Sequence, residues 1–380
     1  MTVGVGVPAS TGGVATWTSS GLRSLTGRPG RPGLDPPPGL VDGVTALART
    51  IGERTARLGR PVELDPLAVL AERAVAAGLD RAGDRSCGGS ARLLPADGGW
   101  VAVNLARTTD WELVAAWLEL DGAVPAGEWL PVERTAARRT PRTLVGRATM
   151  LGLPVAAVGE RSEGDGAVGR PGVRVHPLGR AGAPADLRDL VVADLSALWA
   201  GPLAASILGR AGARVLKVES TVRPDGARWG SPVHYTSLNA GKEEVTVDLT
   251  TAAGRRRLAG VVAGADVVVS SARPRALRQL GLDPVSTVRH GRPRLWLAIT
   301  GYGAATTTDR HRVAFGDDAA AAGGLVAWDA DGPCFCADAV ADPVTGLAAA
   351  AAVLDVLGEG GRAVVEASMA DVAVGLAGGR

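Results

Sequence analysis

Apolar residues recur at helical spacing in two places near the start of the chain. Val44, Leu47, Ala48 and Ile51 fall on one face of residues 41–58, which predicts an amphipathic helix. A second helix is expected over residues 66–77. Near residue 100 the period shortens to two. Residues 100–105 alternate like a strand, and residues 153–158 read as a short one. Helical patterns lie between them, at 110–120 behind Thr109 or Asp110 and at 140–151 behind Thr140-Pro141.

Beyond residue 187 the pattern changes again. Short apolar runs at 190–195, 214–218, 245–249, 266–270 and 294–300 read as strands. Helical stretches at 201–211, 250–262 and 274–280 alternate with them. This alternation predicts an α/β fold: a doubly wound, mostly parallel, Rossmann-like sheet, joined to a smaller α+β domain. Ligands bind such sheets beyond the carboxyl ends of the strands. Those ends carry residues 196–201, Glu219, Ser270-Ser271 and Thr300-Gly301-Tyr302. The first turn has no GxGxxG, and the chain has no Walker A lysine and no Gly-x-Ser-x-Gly elbow.

Other stretches carry no period. Residues 1–40 are rich in Gly, Pro, Ser and Thr, and Asp35-Pro36-Pro37-Pro38-Gly39 excludes helix and central strand. Cys87-Gly88-Gly89 marks a turn, and residues 161–187 read as a Gly- and Arg-rich linker. The expected order is a segment at 1–90, a small domain at 91–160, the linker, and a large domain at 188–380.

The 380 residues suffice for two ordinary domains, and 46% are hydrophobic, enough for a sizeable core. A formal net charge of +2 argues against a nucleic-acid footprint. Cys87, Cys334 and Cys336 do not have zinc spacing, and His176, His234, His290 and His311 are scattered, so no metal site is expected. No 18-residue apolar run suggests a membrane span, and Met1 to Gly13 lacks a signal-peptide pattern. A cytoplasmic protein is expected.

One acidic residue stands apart. Asp342 precedes Pro343 and a long apolar run, where a helix should begin. An N-cap is one role for it. A nucleophile is the other, because the helix dipole favours the ionised carboxylate and backbone amides steady nearby charge.

An ordered series of motifs resembles the family III CoA-transferases (CaiB/BaiF type). That group holds formyl-CoA and carnitine CoA-transferases and α-methylacyl-CoA racemase. The first strand and Gly-Pro helix start are matched by residues 192–202, and the second strand by residues 208–219. Asn239-Ala240-Gly241-Lys242, Asp266 with Arg273-Pro274, and Thr300-Gly301-Tyr302-Gly303 follow. Asp342-Pro343-Val344-Thr345-Gly346 matches the segment of the family's nucleophilic aspartate, and Ser368-Met369 lies beyond it. The likeness is close over 188–380 and looser over 97–160. Asp42-Gly43-Val44-Thr45-Ala46-Leu47 parallels the Asp342 segment, suggesting a degenerate internal repeat, with chance similarity of Gly- and Ala-rich segments as the alternative.

The resemblance implies transfer of coenzyme A from an acyl-CoA to a carboxylic acid, through an aspartyl anhydride and an aspartyl-CoA thioester at Asp342. It implies CoA contacts at Trp199, Ala200, Asn239, Ala240, Gly241, Lys242, Arg273, Thr300, Gly301 and Tyr302, with Lys242 the foremost phosphate ligand. Arg278 adds charge nearby. It implies no permanently bound cofactor and an interlocked homodimer. Departures are present: Ser271-Ala272 stands where Asn-Phe is common, Ser220 where Arg is common, and Glu243 where a basic residue is common. The family's closing Gly-rich loop is not matched, with residues 21–43 as its replacement. A catalytically impaired CoA-binding member is therefore the alternative. Gly316 occupies the position of the racemase histidine, which makes racemization less favoured, and His311 reads as a surface residue.

Overall fold

The computed structural model describes residues 16–161, 172–304, 306 and 308–378. The readings of residues 1–13 and of stretch 162–171 lie outside the described residues. The early helical spacing forms two helices, α1 (Leu40–Leu58) and α2 (Pro66–Ala77). Helix α1 buries Leu40, Val41, Val44, Ala48, Ile51, Thr55 and Leu58, a stripe at three- and four-residue spacing. The Asp65 carboxylate caps α2 by accepting from the Leu67 and Ala68 amides, each at 3.0 Å. Both helices bury their apolar faces in the core of the main sheet, so this segment shares a core with residues far along the chain.

A three-stranded antiparallel sheet comes next: β1 (Ala91–Ala96), β2 (Gly99–Asn104) and β3 (Val155–Ala157). Strand β1 escapes the sequence pattern because Arg92 and Pro95 interrupt its alternation. The helix expected at 110–120 is split at Leu113 into Thr108–Glu112 and Val114–Leu118. Trp111, Trp117, Trp129 and Leu144 give this unit its own core. The Trp117 indole donates to the Leu144 carbonyl at 2.9 Å.

The main sheet contains β4 (Val173–Arg180), β5 (Val191–Leu195), β6 (Arg214–Ser220), β7 (Glu243–Val247), β8 (Val267–Ser270) and β9 (Leu295–Thr300). A hairpin, β10 (Val326–Asp329) and β11 (Gly332–Phe335), precedes its last strand, β12 (Gly361–Ser368). The sheet order is β4-β12-β9-β8-β5-β6-β7, parallel except where β4 meets β12. One expectation is corrected here. Strand β4 lies in the supposed linker, with the mixed polar pattern of an edge strand. The hairpin around Pro333 adds a pair of strands that the sequence pattern does not predict. The chain winds outward from β5 through β6 and β7, then resumes on the other side of β5 with β8. The topological switch point is therefore at the end of β5.

Four helices frame that point: α3 (Ala200–Arg210), α4 (Gly316–Ala322), α5 (Ala341–Gly358) and α6 (Met369–Ala377). Helix α5 is buried on almost every side, with only Asp342, Asp355 and Gly358 partly exposed. It packs against α1, α3, α6 and β12, and Asp355 pairs with Arg54 of α1 at 2.6 Å. By length and composition α5 could cross a bilayer, against the expectation of no such run, yet 83% of it is buried inside the fold. A helix apolar all round is the expected centre of a large core.

Candidate active site

The turn after β5 rests on two buried ion pairs. The Lys217 ammonium donates to the Ser196 carbonyl at 2.6 Å and to Asp225 at 3.1 Å. Asp225 accepts from the Leu198 amide at 3.1 Å. Leu198 has a φ of 69°, a left-handed conformation that costs a non-glycine residue roughly 1–3 kcal/mol. The Asp225 clamp holds it there. Beside this pair, the Lys242 ammonium donates to Asp194 at 2.8 Å and to the Pro202 carbonyl and Asn239 Oδ1 at 2.9 Å. Burial lowers the Lys242 pKa, and Asp194 acts against it.

This foundation presents the first amide of α3. The Ala200 N–H acts on the Asp342 carboxylate and favours its ionised form. Asp342 stands in the first turn of α5. One turn on, Gly346 lets the two helices close: a Cβ there would lie 2.8 Å from the Ala200 carbonyl oxygen and 3.1 Å from Leu203 Cβ. Asp342 is not the N-cap expected from sequence. Val340 holds that position without a side-chain bond, and the carboxylate serves the neighbouring helix instead.

The approach to Asp342 is a tight loop. Ala337 and Ala339 take left-handed φ values of 54° and 45°. Between them Asp338 is fully buried in the grip of Arg73 from α2. Arg73 Nε donates to Asp338 Oδ2 at 2.8 Å, and Nη2 donates to Oδ1. The Ala337 amide donates to Thr26 Oγ1 at 3.0 Å, and the Ala339 amide to Asp317 Oδ1 at 3.1 Å. Gly316 opens α4 directly against the site. A Cβ there would overlap both the Ala339 carbonyl oxygen and Asp342 Oδ2.

Charge in this group is finely balanced. Burial raises the Asp342 pKa to about 7; Arg73 pulls it down, Asp317 and Asp338 push it up, and the Ala200 amide pulls it down. Burial, then Asp338, raises Asp317 to about 7 against Arg73. Burial raises Asp318 to about 8 against its bond from the Phe315 amide. Burial and then Arg73 lower His234 to about 4, so its ring is neutral at pH 7. The helix dipole alone therefore does not hold Asp342 ionised. Near neutrality the carboxyl is divided between its two forms.

The other anticipated residues scatter in role. Trp199 is only 2% exposed and packs edge-on against His234 at 4.7 Å. Ala200 is at Asp342, as described. The Lys242 side chain is 2% exposed and its three donors meet three protein acceptors, so it has none left for a phosphate. That corrects the expectation for Lys242, and Asn239 acts as one of its buttresses. Ala240 and Gly241 form the exposed turn into β7, and Ala240 lines a cavity of about 350 Å³ with Arg228, Tyr235 and Asn239. The Thr300 hydroxyl accepts from the Gly303 amide at 3.1 Å, and Gly301 lies against Ala314. Tyr302 is fully buried beneath the Arg312 guanidinium, 3.5 Å from its ring centroid, so it fills the interior and offers no ligand shelf. His311 lines a separate cavity of about 1050 Å³ with Thr140, Glu160 and Arg312.

Arg273 is exposed, and no hydrogen bond or ion pair to its side chain is seen among the described residues. Burial, then Arg107 and Arg223, lower its pKa. Its Nη1 lies 3.8 Å from where a Gly152 Cβ would be, and Arg107 Nη2 reaches the Gly152 carbonyl at 3.5 Å. Arg107 and Arg223 were missed at the sequence level, as were Arg73, Asp317 and Asp338. None carries a local motif, because tertiary packing alone brings them together.

Residues 187–380 match the family described as CoA-transferase family III. Succinyl-CoA:glutarate CoA-transferase of Mus musculus is 31% identical over 185 residues, 47% of this chain and 42% of that protein. A fatty acyl-CoA transferase of Mycobacterium tuberculosis, itself named as probable, is 38% identical over 124 residues, 30% of each chain. A crystal structure of a CAIB/BAIF family protein from Brucella suis is 26% identical with a TM-score of 0.44, covering 51% of this chain and 56% of that one. The chain spans less than half the length of these curated relatives.

Proposed function

The chain belongs to CoA-transferase family III, and from that premise we propose that it moves coenzyme A from an acyl-CoA to a free carboxylic acid, with Asp342 as the nucleophile. The observation that carries this reading is the Asp342 carboxylate itself. It is half-buried at the topological switch point, in the first turn of α5 and under the influence of the first amide of α3. A carboxylate stripped of most of its water and held by a preorganised amide is suited to attack a thioester.

An Asp342 oxygen bonds to the thioester carbonyl carbon, the C–S bond breaks, and CoA leaves as the thiolate. The thiolate then attacks the Asp342 carbonyl carbon of the resulting anhydride. The donor acid leaves as its carboxylate, and Asp342 carries CoA as a thioester. The acceptor carboxylate attacks that thioester and releases the thiolate. Thiolate attack on the acceptor's acyl carbon then frees the product acyl-CoA and the Asp342 carboxylate. Each activated acyl state replaces one difficult exchange with easier ones. The Ala200 amide supports the carboxylate between turnovers. The buried His234 and the partly buried Cys87, whose thiol burial pushes well above its usual range, do not compete as nucleophiles.

Incubation with acyl-CoA followed by hydroxylamine tests this reading. Mass spectrometry is expected to find a hydroxamate at Asp342. CoA binding with no adduct from any of several acyl-CoAs would favour the second reading, a CoA-binding member without turnover. The engagement of Lys242 and the burial of Tyr302 are the observations that favour that alternative.

Two variants bear on the site. Gly316→Ala forces a methyl group onto the Ala339 carbonyl and Asp342 Oδ2. It is expected to cost about 1–3 kcal/mol, as overpacking does, and to slow adduct formation. Wild-type stability in urea together with a wild-type acylation rate would show that the contact is relieved cheaply. The same crowding leaves no space for the racemase histidine, which supports transfer over racemization. For the CoA phosphates, Arg273 with Arg107 and Arg223 replaces Lys242 in our reading. Arg273→Ala is expected to weaken CoA binding about tenfold or more, the worth of one hydrogen bond to a charged group. Titration calorimetry with CoA checks this, and an unchanged affinity would remove Arg273 from the binding set.

A further inference from the structure

The matched family segment, residues 187–380, does not contain every group that acts on Asp342. Arg73 reaches the site from α2, and its charge acts on Asp342, Asp317 and His234. Its fork holds both oxygens of Asp338, a fully buried carboxylate inside the strained Ala337–Ala339 turn. The same turn is tied to Thr26 through the Ala337 amide, and the Cys87 thiol lies 3.4 Å from the Ala337 carbonyl oxygen. The guanidinium lies 5.9 Å from the Trp199 ring centroid, next to the residue that precedes the Ala200 amide. The side chain is 26% exposed, and its Nη1 donates to no acceptor among the described residues.

We propose that Arg73 is a positioning residue for Asp342. Its grip on Asp338 fixes the turn that delivers the carboxylate, and its charge counters the carboxylates grouped around it. The N-terminal segment thereby completes a site that the family segment begins. This rests on the reading of Asp342 as nucleophile.

The two ends of the ion pair act on Asp342 in opposite directions. The groups that act on it are Arg73 from α2, Asp317 from α4, Asp338 from the turn and the Ala200 amide from α3. Arg73 also acts on His234, and Asp338, Asp317 and Arg73 act on Cys87. Removing Arg73 leaves the negative charges unopposed and raises the pH at which Asp342 ionises. Removing the charge of Asp338 lowers that pH. A purely structural role moves neither midpoint in a set direction.

The test follows Asp342 ionisation in the full chain, without turnover, by the pH dependence of carbodiimide labelling read by mass spectrometry. In Arg73→Ala the midpoint is expected to rise by about one unit, a tenfold loss of carboxylate near neutrality. In Asp338→Asn it is expected to fall. Arg73→Lys is expected to keep the wild-type midpoint while slowing acyl transfer several-fold, because a point charge cannot hold both Asp338 oxygens. Circular dichroism identifies the variants that fold, and Arg73→Lys with Asp338→Asn carries the test if Arg73→Ala does not. An unchanged midpoint in folded Arg73→Ala, or in Asp338→Asn, would overturn the proposal. Wild-type protein that labels normally but forms no acyl adduct would instead sink the nucleophile reading, and the positioning role of Arg73 with it.

Discussion

Asp342→Ala is expected to abolish CoA exchange, with a loss of about a thousandfold or more in turnover, as the proposed nucleophile role requires. The fold is expected to survive, since Asp342 does not cap its helix and is one of the few residues of α5 with any exposure. The isosteric Asp342→Asn sharpens the expectation. An acid whose folded pKa lies above its unfolded value binds more protons in the folded state between those two values. Stability then falls as pH rises through that window. For Asp342 the window runs from the ordinary carboxyl value of 3.8 to about 7. The Asn variant is therefore expected to match the wild type at pH 4 and to exceed it at pH 8, by on the order of a few kcal/mol. Urea denaturation at both pH values decides this. Equal stability of the two proteins at pH 8 would contradict a raised Asp342 pKa, and residual exchange in Asp342→Ala would direct attention to Asp42 or another carboxylate.

Lys242 carries the second large effect. Its ammonium neutralises Asp194, which is fully buried beneath the switch-point turn. Lys242→Met strands that carboxylate, and breaking a buried pair from one side costs about 3–5 kcal/mol. Chemical denaturation measures the loss. The double variant Asp194→Leu/Lys242→Met is expected to recover most of it, because an apolar pair of similar volume is often tolerated in such a place. Folded Lys242→Met is expected to bind CoA with wild-type affinity. A large affinity loss with little destabilisation would return Lys242 to the phosphate site.

The sequence was legible where local chemistry settles the structure. Continuous apolar runs gave the strands at the sheet centre, and Asp65-Pro66 and Thr140-Pro141 marked helix starts that the structure keeps. The edge strand β4 was not legible, because one exposed face mixes polar residues into its pattern. Asp342 could be singled out from its motif, and its neighbours could not. Arg73 and Asp338 are separated by 265 positions, and nothing in either local sequence announces their pairing. Lys242 shows the opposite error. Its motif suggested a ligand contact, yet burial of Asp194 decides what its charge does. The echo between Asp42 and Asp342 has a structural counterpart: both stand in the first turn of long helices that pack together.

That helix pairing also sets an order of events. Helix α1 is made before α5, against which it packs. Arg54 and Asp355 meet across 301 positions. Helix α1 must hold its apolar stripe without this partner while those positions are made, at elongation rates of about 5–20 residues per second. The small unit closes its own core sooner, from residues within a short span. The first turn of α5, with Asp342, is therefore assembled in the same step that covers the apolar face of α1.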